Sequence, residues 1–101
     1  MHPKEAFENE TIEAIKVNEP RLYKVLLLND DYSSMDFVVS VLMQVFHHSH
    51  EKAMEIMFNV HEQGKGLCGV YMYEIAETKV AHVRKMAKEA KFPLRAIMEE
   101  E

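Results

Sequence analysis

The feature that most constrains the fold is an apolar run that stops at three short polar residues. Residues 21–28 carry six apolar side chains interrupted by Lys24, a composition typical of a largely buried β-strand. Asn29, Asp30 and Asp31 follow at once. Short polar side chains of this kind hydrogen-bond to nearby backbone groups and compete with strand pairing. The sequence therefore predicts a buried strand that leads into an acidic loop.

Three later segments show the polar and apolar spacing of amphipathic helices. In the first, polar residues recur at spacings of 4, 4 and 3, and Ser33 is its predicted N-cap. The second follows the junction at residues 47–49 and stops at Gly64. The third begins at about Glu74 and is closed by Pro93. Since the first two helices are so close in sequence, we expect them to form a hairpin.

Two further strands complete the predicted order. Residues 67–73 are rich in aromatic and β-branched side chains, and residues 94–98 can form a short strand before an acidic tail at residues 99–101. The order β-α-α-β-α-β indicates an α+β fold with one core domain at residues 21–101. Residues 1–20 hold five glutamates and few apolar residues, so we expect a mobile N-terminal arm.

Length and composition narrow the class of protein. A chain of 101 residues with 48% apolar content fits one domain, and its one cysteine, Cys68, has no partner for an internal disulfide. The start of the chain has no stretch typical of a signal peptide, and no apolar run approaches the roughly 18 residues of a membrane span. The net charge of −5 disfavours a polyanion as a ligand of the whole surface. We therefore expect a soluble, cytoplasmic protein without membrane contacts.

The acidic loop is the first candidate binding site. A plain turn would explain Asn29-Asp30-Asp31, but the helix N-terminus that follows satisfies only one of the two carboxylates, which leaves the other free to meet an ammonium group. His61, near the end of the second helix, is either a second binding residue or an ordinary boundary residue. A hydrolase built on Asp31 and His61 lacks a convincing nucleophile, because Ser33 and Ser34 are better explained by the helix start. We expect a binding protein and not an enzyme.

Two other patterns suggest alternative functions. His47, His48 and His50 are close in sequence, but adjacent histidines point to different helix faces and no cysteine completes a tetrahedral set. We therefore predict neither a metal site nor a cofactor. The third helix carries a basic face, which makes a nucleic-acid-binding or ribosome-associated module the main alternative. The basic residues are Lys79, Arg84, Lys85, Lys88 and Lys91, with Arg95 beyond the helix.

Several separated motifs resemble the ClpS adaptor family. The longest occupies residues 23–38, and residues 60–64, 68–70, 74–80 and 92–94 follow in the family's order and spacing. The resemblance covers residues 22–99. It implies a three-stranded antiparallel sheet packed against three helices, preceded by a mobile arm. One departure is Ser34, where many relatives carry proline at the first helical position.

The resemblance also implies a function. Members of the family recognise N-end-rule substrates, polypeptides that begin with leucine, phenylalanine, tyrosine or tryptophan, and deliver them to the ClpAP or ClpCP protease. Carried over, Asn29, Asp31 and His61 would hydrogen-bond the substrate's α-amino group, and Asp30 would add negative potential. The pocket for the first side chain would be formed by Leu27, Leu28, Ser33, Met35, Val38, Met57, Val60 and Leu94.

Three further roles follow from the same resemblance. Met35 would be the gate that rejects β-branched first residues. Glu74 and Lys79 match positions that dock on the N-domain of the ClpA or ClpC ATPase, and the arm would engage the ATPase during delivery. The expected partners are therefore a polypeptide and an ATPase, without nucleic acid, and the free protein is expected to be a monomer.

Overall fold

The computed structural model describes residues 21–101, and its strands and helices follow the predicted order β-α-α-β-α-β. The elements are β1 (Leu22–Leu28), α1 (Met35–Gln44), α2 (His50–Gln63), β2 (Lys65–Met72), α3 (Tyr73–Ala90) and β3 (Arg95–Glu100). This confirms the α+β prediction. The predicted mobile arm, residues 1–20, lies outside the described residues.

β1 is the central strand of a three-stranded antiparallel sheet with the order β2-β1-β3. Leu27 pairs with Gly66 on one side and with Ala96 on the other. Side chains alternate between the two faces of a strand. Val25 and Leu27 accordingly enter the core, where both are 0% exposed, and Leu26 lies on the opposite face. The central position of β1 places its last residue, and the acidic loop beyond it, between the other elements.

The three helices cover one face of the sheet. Their buried side chains form a single cluster with Val25 and Leu27 of β1. Gly66 allows α2 to approach β2 closely, because a Cβ atom at this position would lie 2.7 Å from Val60 Cγ2 and 3.2 Å from the carbonyl oxygen of Ile56. The missing side chain of Gly66 therefore sets how α2 sits against the sheet.

The start of α1 differs from the prediction by one residue. Ser34 is the N-cap, with an extended backbone (φ −70°, ψ 152°) and an Oγ that accepts a hydrogen bond from the N–H of Phe37 at 3.1 Å. The prediction of Ser33 as N-cap was wrong because the N–H of Ser33 donates to Asp30 Oδ1 instead, at 2.7 Å. Ser33 thus belongs to the acidic loop, and Met35 is the first helical residue.

The other element ends lie close to the predicted ones. Gly64 ends α2 in the left-handed conformation (φ 86°), and its N–H donates to the carbonyl oxygen of Val60, which confirms the predicted stop. β2 begins two residues before the predicted strand, and α3 ends at Ala90, ahead of Pro93. β3 continues to Glu100, so most of the predicted acidic tail belongs to a strand.

Within residues 21–101, no helix combines the length and the apolar character that crossing a membrane requires.

Candidate functional site

Asp30 shapes the acidic loop. Its Oδ1 accepts hydrogen bonds from the N–H groups of Tyr32 at 2.8 Å and Ser33 at 2.7 Å. An aspartate that binds the backbone two or three residues ahead fixes a turn in the same way as a backbone hydrogen bond would. One carboxylate of the pair is therefore used to build the loop, and the neighbouring Asp31 keeps an exposed side chain.

The same contacts determine the charge of Asp30. Burial, the largest effect, acts to raise its pKa, but the N–H groups of Ser33 and Tyr32 stabilise the carboxylate and bring the pKa below its ordinary value of 3.8. Within residues 21–101, Asp30 Oδ2 and Ser33 Oγ are buried without a hydrogen-bond partner. The loop therefore holds a fixed negative charge at neutral pH.

A backbone hydrogen bond joins the acidic loop to the end of α2. The N–H of Asn29 donates to the carbonyl oxygen of Gly64 at 2.9 Å. His61 lies in the last turn of α2, just before Gly64, and its side chain is exposed. This bond therefore brings His61 beside the loop, although the two segments are far apart in the sequence.

A cavity of about 240 Å³ lies where the loop, α1 and α2 meet. Its polar lining consists of Asn29, Asp30, Asp31 and His61, and the rest of its lining of Ser33, Met35, Val38, Met57 and Val60. Val38, Met57 and Val60 are at most 6% exposed, whereas Met35 is 52% exposed. A cavity of this kind suits a ligand that has both a cationic group and an apolar side chain.

The cavity contains nine of the twelve residues predicted for the peptide site, and Leu27, Leu28 and Leu94 do not line it. Leu27 is wholly buried in the core behind it. The side chain of Leu28 lies on the other face of β1, since neighbouring residues of a strand alternate. Leu94, 4% exposed, lines a separate cavity of about 80 Å³ together with Arg84 and Arg95.

The two residues predicted for ATPase docking have different surroundings. Glu74 is exposed in the first turn of α3. Lys79 is engaged within the domain: its Nζ donates a hydrogen bond to the carbonyl oxygen of Val45 at 2.7 Å and lies 5.1 Å from the centroid of the Tyr71 ring. Val45 is the C-cap of α1. Lys79 therefore fastens the end of α1 to α3, a role that the sequence did not indicate.

Glu74 lies beside apolar residues that the sequence analysis did not single out. It lines an open cavity of about 460 Å³ together with Arg21, Tyr23, Met72, Tyr73 and Ile75. Met72, Tyr73 and Ile75 are each about half exposed. Their signal in the sequence was three apolar residues, at positions 72, 73 and 75, ahead of Ala76, where the buried stripe of α3 begins.

His48 of the histidine cluster and Cys68 are both engaged within the domain. His48 Nε2 lies 2.6 Å from the carbonyl oxygen of Cys68 and so ties the junction between α1 and α2 to β2. Burial raises the pKa of the Cys68 thiol to about 12. Among residues 21–101, no group of three or more histidine, cysteine, aspartate or glutamate side chains is placed to hold a metal ion.

Comparison with known proteins gives a consistent assignment. The sequence model of "ATP-dependent Clp protease adaptor protein ClpS" matches residues 18–97. The chain is 57% identical to the ClpS adapter protein of Wolinella succinogenes over 93% of this chain and 92% of the relative. It is 53% identical to that of Hyphomonas neptunium, over 94% of this chain and 80% of the relative.

A solved structure extends the comparison to three dimensions. Agrobacterium tumefaciens ClpS2 bound to L-phenylalaninamide superposes with a TM-score of 0.80 at 42% identity, covering 82% of this chain and all of that one. Sequence and fold therefore agree over the whole of the domain that carries the cavity. This chain belongs to the ClpS family of ATP-dependent Clp protease adaptor proteins.

Proposed function

We propose that this protein binds polypeptides by their free N-terminal residue in the 240 Å³ cavity and delivers them to a Clp protease. The observation that carries the proposal is the joining of acidic and apolar side chains in one cavity. The ligand of the related ClpS2, L-phenylalaninamide, has the two matching features, a free α-amino group and an aromatic side chain.

The acidic loop and His61 provide the acceptors for the ammonium group. The exposed side chains of Asn29, Asp31 and His61 supply an amide oxygen, a carboxylate and a ring nitrogen at the cavity. Asp30 differs from them, because its Oδ1 is already used by two backbone N–H groups. We assign Asp30 the supporting role of a fixed charge and the other three the direct contacts.

The apolar lining receives the first side chain of the polypeptide. Val38, Met57 and Val60 are held in the core and give the cavity fixed walls, whereas the exposed Met35 stands on the first turn of α1 and acts as the gate. A side chain branched at its β-carbon has its extra methyl group close to the backbone. It would meet Met35 at that point, and the cavity therefore favours leucine and aromatic residues.

The energetics require both halves of the cavity. Hydrogen bonds to the charged amine contribute roughly 1.5–3 kcal/mol, and burial of a leucine or phenylalanine side chain contributes about the same. Micromolar binding needs about −8 kcal/mol, so neither contribution is sufficient alone and backbone contacts must add to them. An internal leucine has no free amine and would leave acceptors of the loop unpaired. The cavity therefore selects chain ends.

Fluorescence anisotropy with a labelled peptide that begins with phenylalanine tests the proposal. The free peptide should bind, and its N-acetylated copy should not. Asp31→Ala should weaken binding strongly, whereas Asp36→Ala, which removes an exposed carboxylate of α1 outside the cavity, should leave the affinity unchanged. Equal binding of the free and acetylated peptides would refute the mechanism.

Delivery to the ATPase completes the proposed function. Glu74 and the exposed residues beside it are the proposed contact with the N-domain of the ATPase, and Lys79 contributes by holding α1 and α3 together.

We further propose that the protein acts in the cytoplasm as a monomer and has no catalytic activity. Peptide turnover that is lost in His61→Ala would contradict the last point, and salt-dependent retention of RNA would favour the nucleic-acid alternative.

A further inference from the structure

Two arginines line a small cavity that is separate from the proposed peptide site. Arg84 lies on α3 and Arg95 is the first residue of β3, and both line the cavity of about 80 Å³. We call it the arginine cavity. Its lining is completed by Val80, Leu94 and Ale96. None of these five residues lines the 240 Å³ cavity, so peptide binding gives them no role.

The arginine cavity has positive charge without a compensating acid. Of residues 21–101, no aspartate or glutamate lines it. The two ion pairs within the same part of the chain involve other residues, so neither Arg84 nor Arg95 is paired with a carboxylate there. Both side chains carry a full positive charge at neutral pH. Two like charges therefore share one cavity, and an anion held there would relieve their repulsion.

The face of α3 that borders the cavity continues this positive charge. Val80 and Arg84 are four residues apart on one side of the helix, and the exposed Lys88 follows after four more. Like charges at this spacing destabilise a helix slightly, whereas opposite charges stabilise it. The net charge of the chain is −5, so the pair does not reflect a general excess of bases. A bound anion explains Arg84 and Lys88 better than helix stability does.

β3 brings a backbone donor to the same cavity. The N–H of Glu101 donates to the carbonyl oxygen of Leu22 at 2.9 Å, so the odd-numbered residues of β3 form the hydrogen bonds to β1. The backbone groups of Ala96 therefore point away from β1, toward the free edge of the sheet. No turn or loop hydrogen bond within residues 21–101 involves Ala96. Its N–H is thus free in that part of the chain.

The size and the donors of the arginine cavity favour a phosphate group as its ligand. One water molecule occupies about 30 Å³ of the liquid, so a cavity of about 80 Å³ holds a small oxoanion and not a nucleoside. A phosphate group carries a charge of about −1.5 to −2 at pH 7, which balances two arginines, whereas a carboxylate balances one. Guanidinium groups bind phosphate oxygens in pairs, with fixed geometry.

We propose that the arginine cavity binds one phosphate group through the guanidinium groups of Arg84 and Arg95 and the N–H of Ala96. The phosphate is either inorganic phosphate or the end of a phosphate monoester whose remainder stays in solvent. The site shares no lining residue with the 240 Å³ cavity. Saturating phosphate should accordingly leave the affinity for a phenylalanine-start peptide unchanged.

NMR titration of the full-length protein at constant ionic strength tests the proposal. With sodium phosphate, the amide signal of Ala96 should shift and saturate, and that of Leu67, on β2 at the other edge of the sheet, should keep its position. Sodium chloride should give no saturable shift. Saturation with O-phosphoserine as well would identify a monoester as the ligand, and saturation with phosphate alone would identify the free ion. No saturable shift with either compound would overturn the proposal.

Exposed basic residues of the same domain provide matched variants. Arg84→Gln and Arg95→Gln should each weaken phosphate binding by about tenfold or more, since each removes a charged hydrogen-bond donor. Arg84→Lys keeps the charge without the planar fork and should recover only part of the affinity. Lys85→Gln removes the same charge from α3 outside the cavity and should change the affinity by less than about twofold. Equal losses in Arg84→Gln and Lys85→Gln would refute a defined site and assign the effect to the general charge of α3.

Discussion

At the scale of single residues, the acidic loop divides its work between two neighbouring carboxylates. Asp30 binds the backbone of Tyr32 and Ser33, and Asp31 remains exposed at the cavity. A single aspartate cannot hold the turn and offer a free carboxylate in the same geometry. If the proposed function holds, the adjacent pair separates the stability of the loop from the affinity for the α-amino group.

Asp30→Asn tests the structural half of this division. Because the pKa of Asp30 is lowered by folding, its carboxylate contributes stability above the ordinary value of 3.8, and that contribution is lost as the pH falls through the folded-state pKa. We expect the variant to be less stable by about 1 kcal/mol at neutral pH, since a charged acceptor becomes a neutral one. Thermal unfolding at several pH values should show the gap shrinking below pH 3.8. A gap that is constant with pH would contradict this account.

Met35→Ala tests the gate. Removing the exposed side chain from the first turn of α1 should admit valine or isoleucine as the first residue, with a gain in affinity of about tenfold, or ~1.4 kcal/mol. Competition anisotropy against the phenylalanine-start peptide measures the change. Met43→Ala is the control, because Met43 is an exposed methionine of α1 that does not line the cavity. The same gain in both variants would show that Met35 is not a gate.

At the scale of elements, the position of α2 decides whether His61 meets the loop. Gly66 permits the close approach of α2 to β2, and the hydrogen bond from Asn29 to the carbonyl oxygen of Gly64 fixes the end of the helix. Gly66, Gly64 and the hydrogen bond from Asn29 therefore fix the position of α2, and with it His61, relative to the sheet and the acidic loop. A small displacement of α2 therefore alters the cavity without changing any residue that lines it.

Gly66→Ala measures this link. The added methyl group would overlap Val60 Cγ2 and crowd the carbonyl oxygen of Ile56, so α2 must shift. Overpacking of this kind costs about 1–3 kcal/mol. We expect lower stability by chemical denaturation and weaker peptide binding, because Val60 and His61 move together. Lower stability with unchanged peptide affinity would show that the position of α2 does not affect binding at the cavity.

Lys79→Met measures the fastening of α1 to α3. The variant keeps the apolar stem over Tyr71 but leaves the carbonyl oxygen of Val45 without its donor, at a cost of about 1–2 kcal/mol. Urea unfolding should show the loss. Lys85→Met, at an exposed position of the same helix, should have no comparable effect. Equal stability of the two variants would show that the hydrogen bond from Lys79 to Val45 does not stabilise the domain.

At the scale of the whole molecule, the proposed contacts occupy separate regions of one small domain. The 240 Å³ cavity lies at the loop, α1 and α2, and the Glu74 cavity lies where β1, β2 and α3 meet. No residue lines both cavities in the part of the chain described by the structure. Under the proposed function, this arrangement leaves the Glu74 cavity free to contact an ATPase while the other cavity holds a substrate.

Glu74→Lys tests this independence. Reversing the charge should abolish binding to the ATPase N-domain, measured by calorimetry, and should change the affinity for the phenylalanine-start peptide by less than about twofold, since sites that share no residues are usually additive. Glu89→Lys, exposed on the same helix but outside that cavity, is the control. A large loss of peptide affinity in Glu74→Lys would show that the two regions are coupled.

Much of this architecture is encoded in local sequence patterns. Helical spacing and apolar runs predict the order of all six elements in residues 21–101, because each pattern repeats over many residues. The choice of Ser34 over Ser33 as N-cap was missed, since it depends on which N–H Asp30 binds. The internal role of Lys79 joins positions 34 residues apart and has no local signal.

The exposure of Met35 has a chemical consequence. Its thioether is at the surface, with the residue 52% exposed, whereas the thiol of Cys68 is buried and protonated. A peroxide therefore reaches this thioether more readily than the Cys68 thiol, and oxidation to the sulfoxide, which methionine sulfoxide reductases reverse, makes the side chain polar. We expect this change to make the Met35 side of the cavity less apolar.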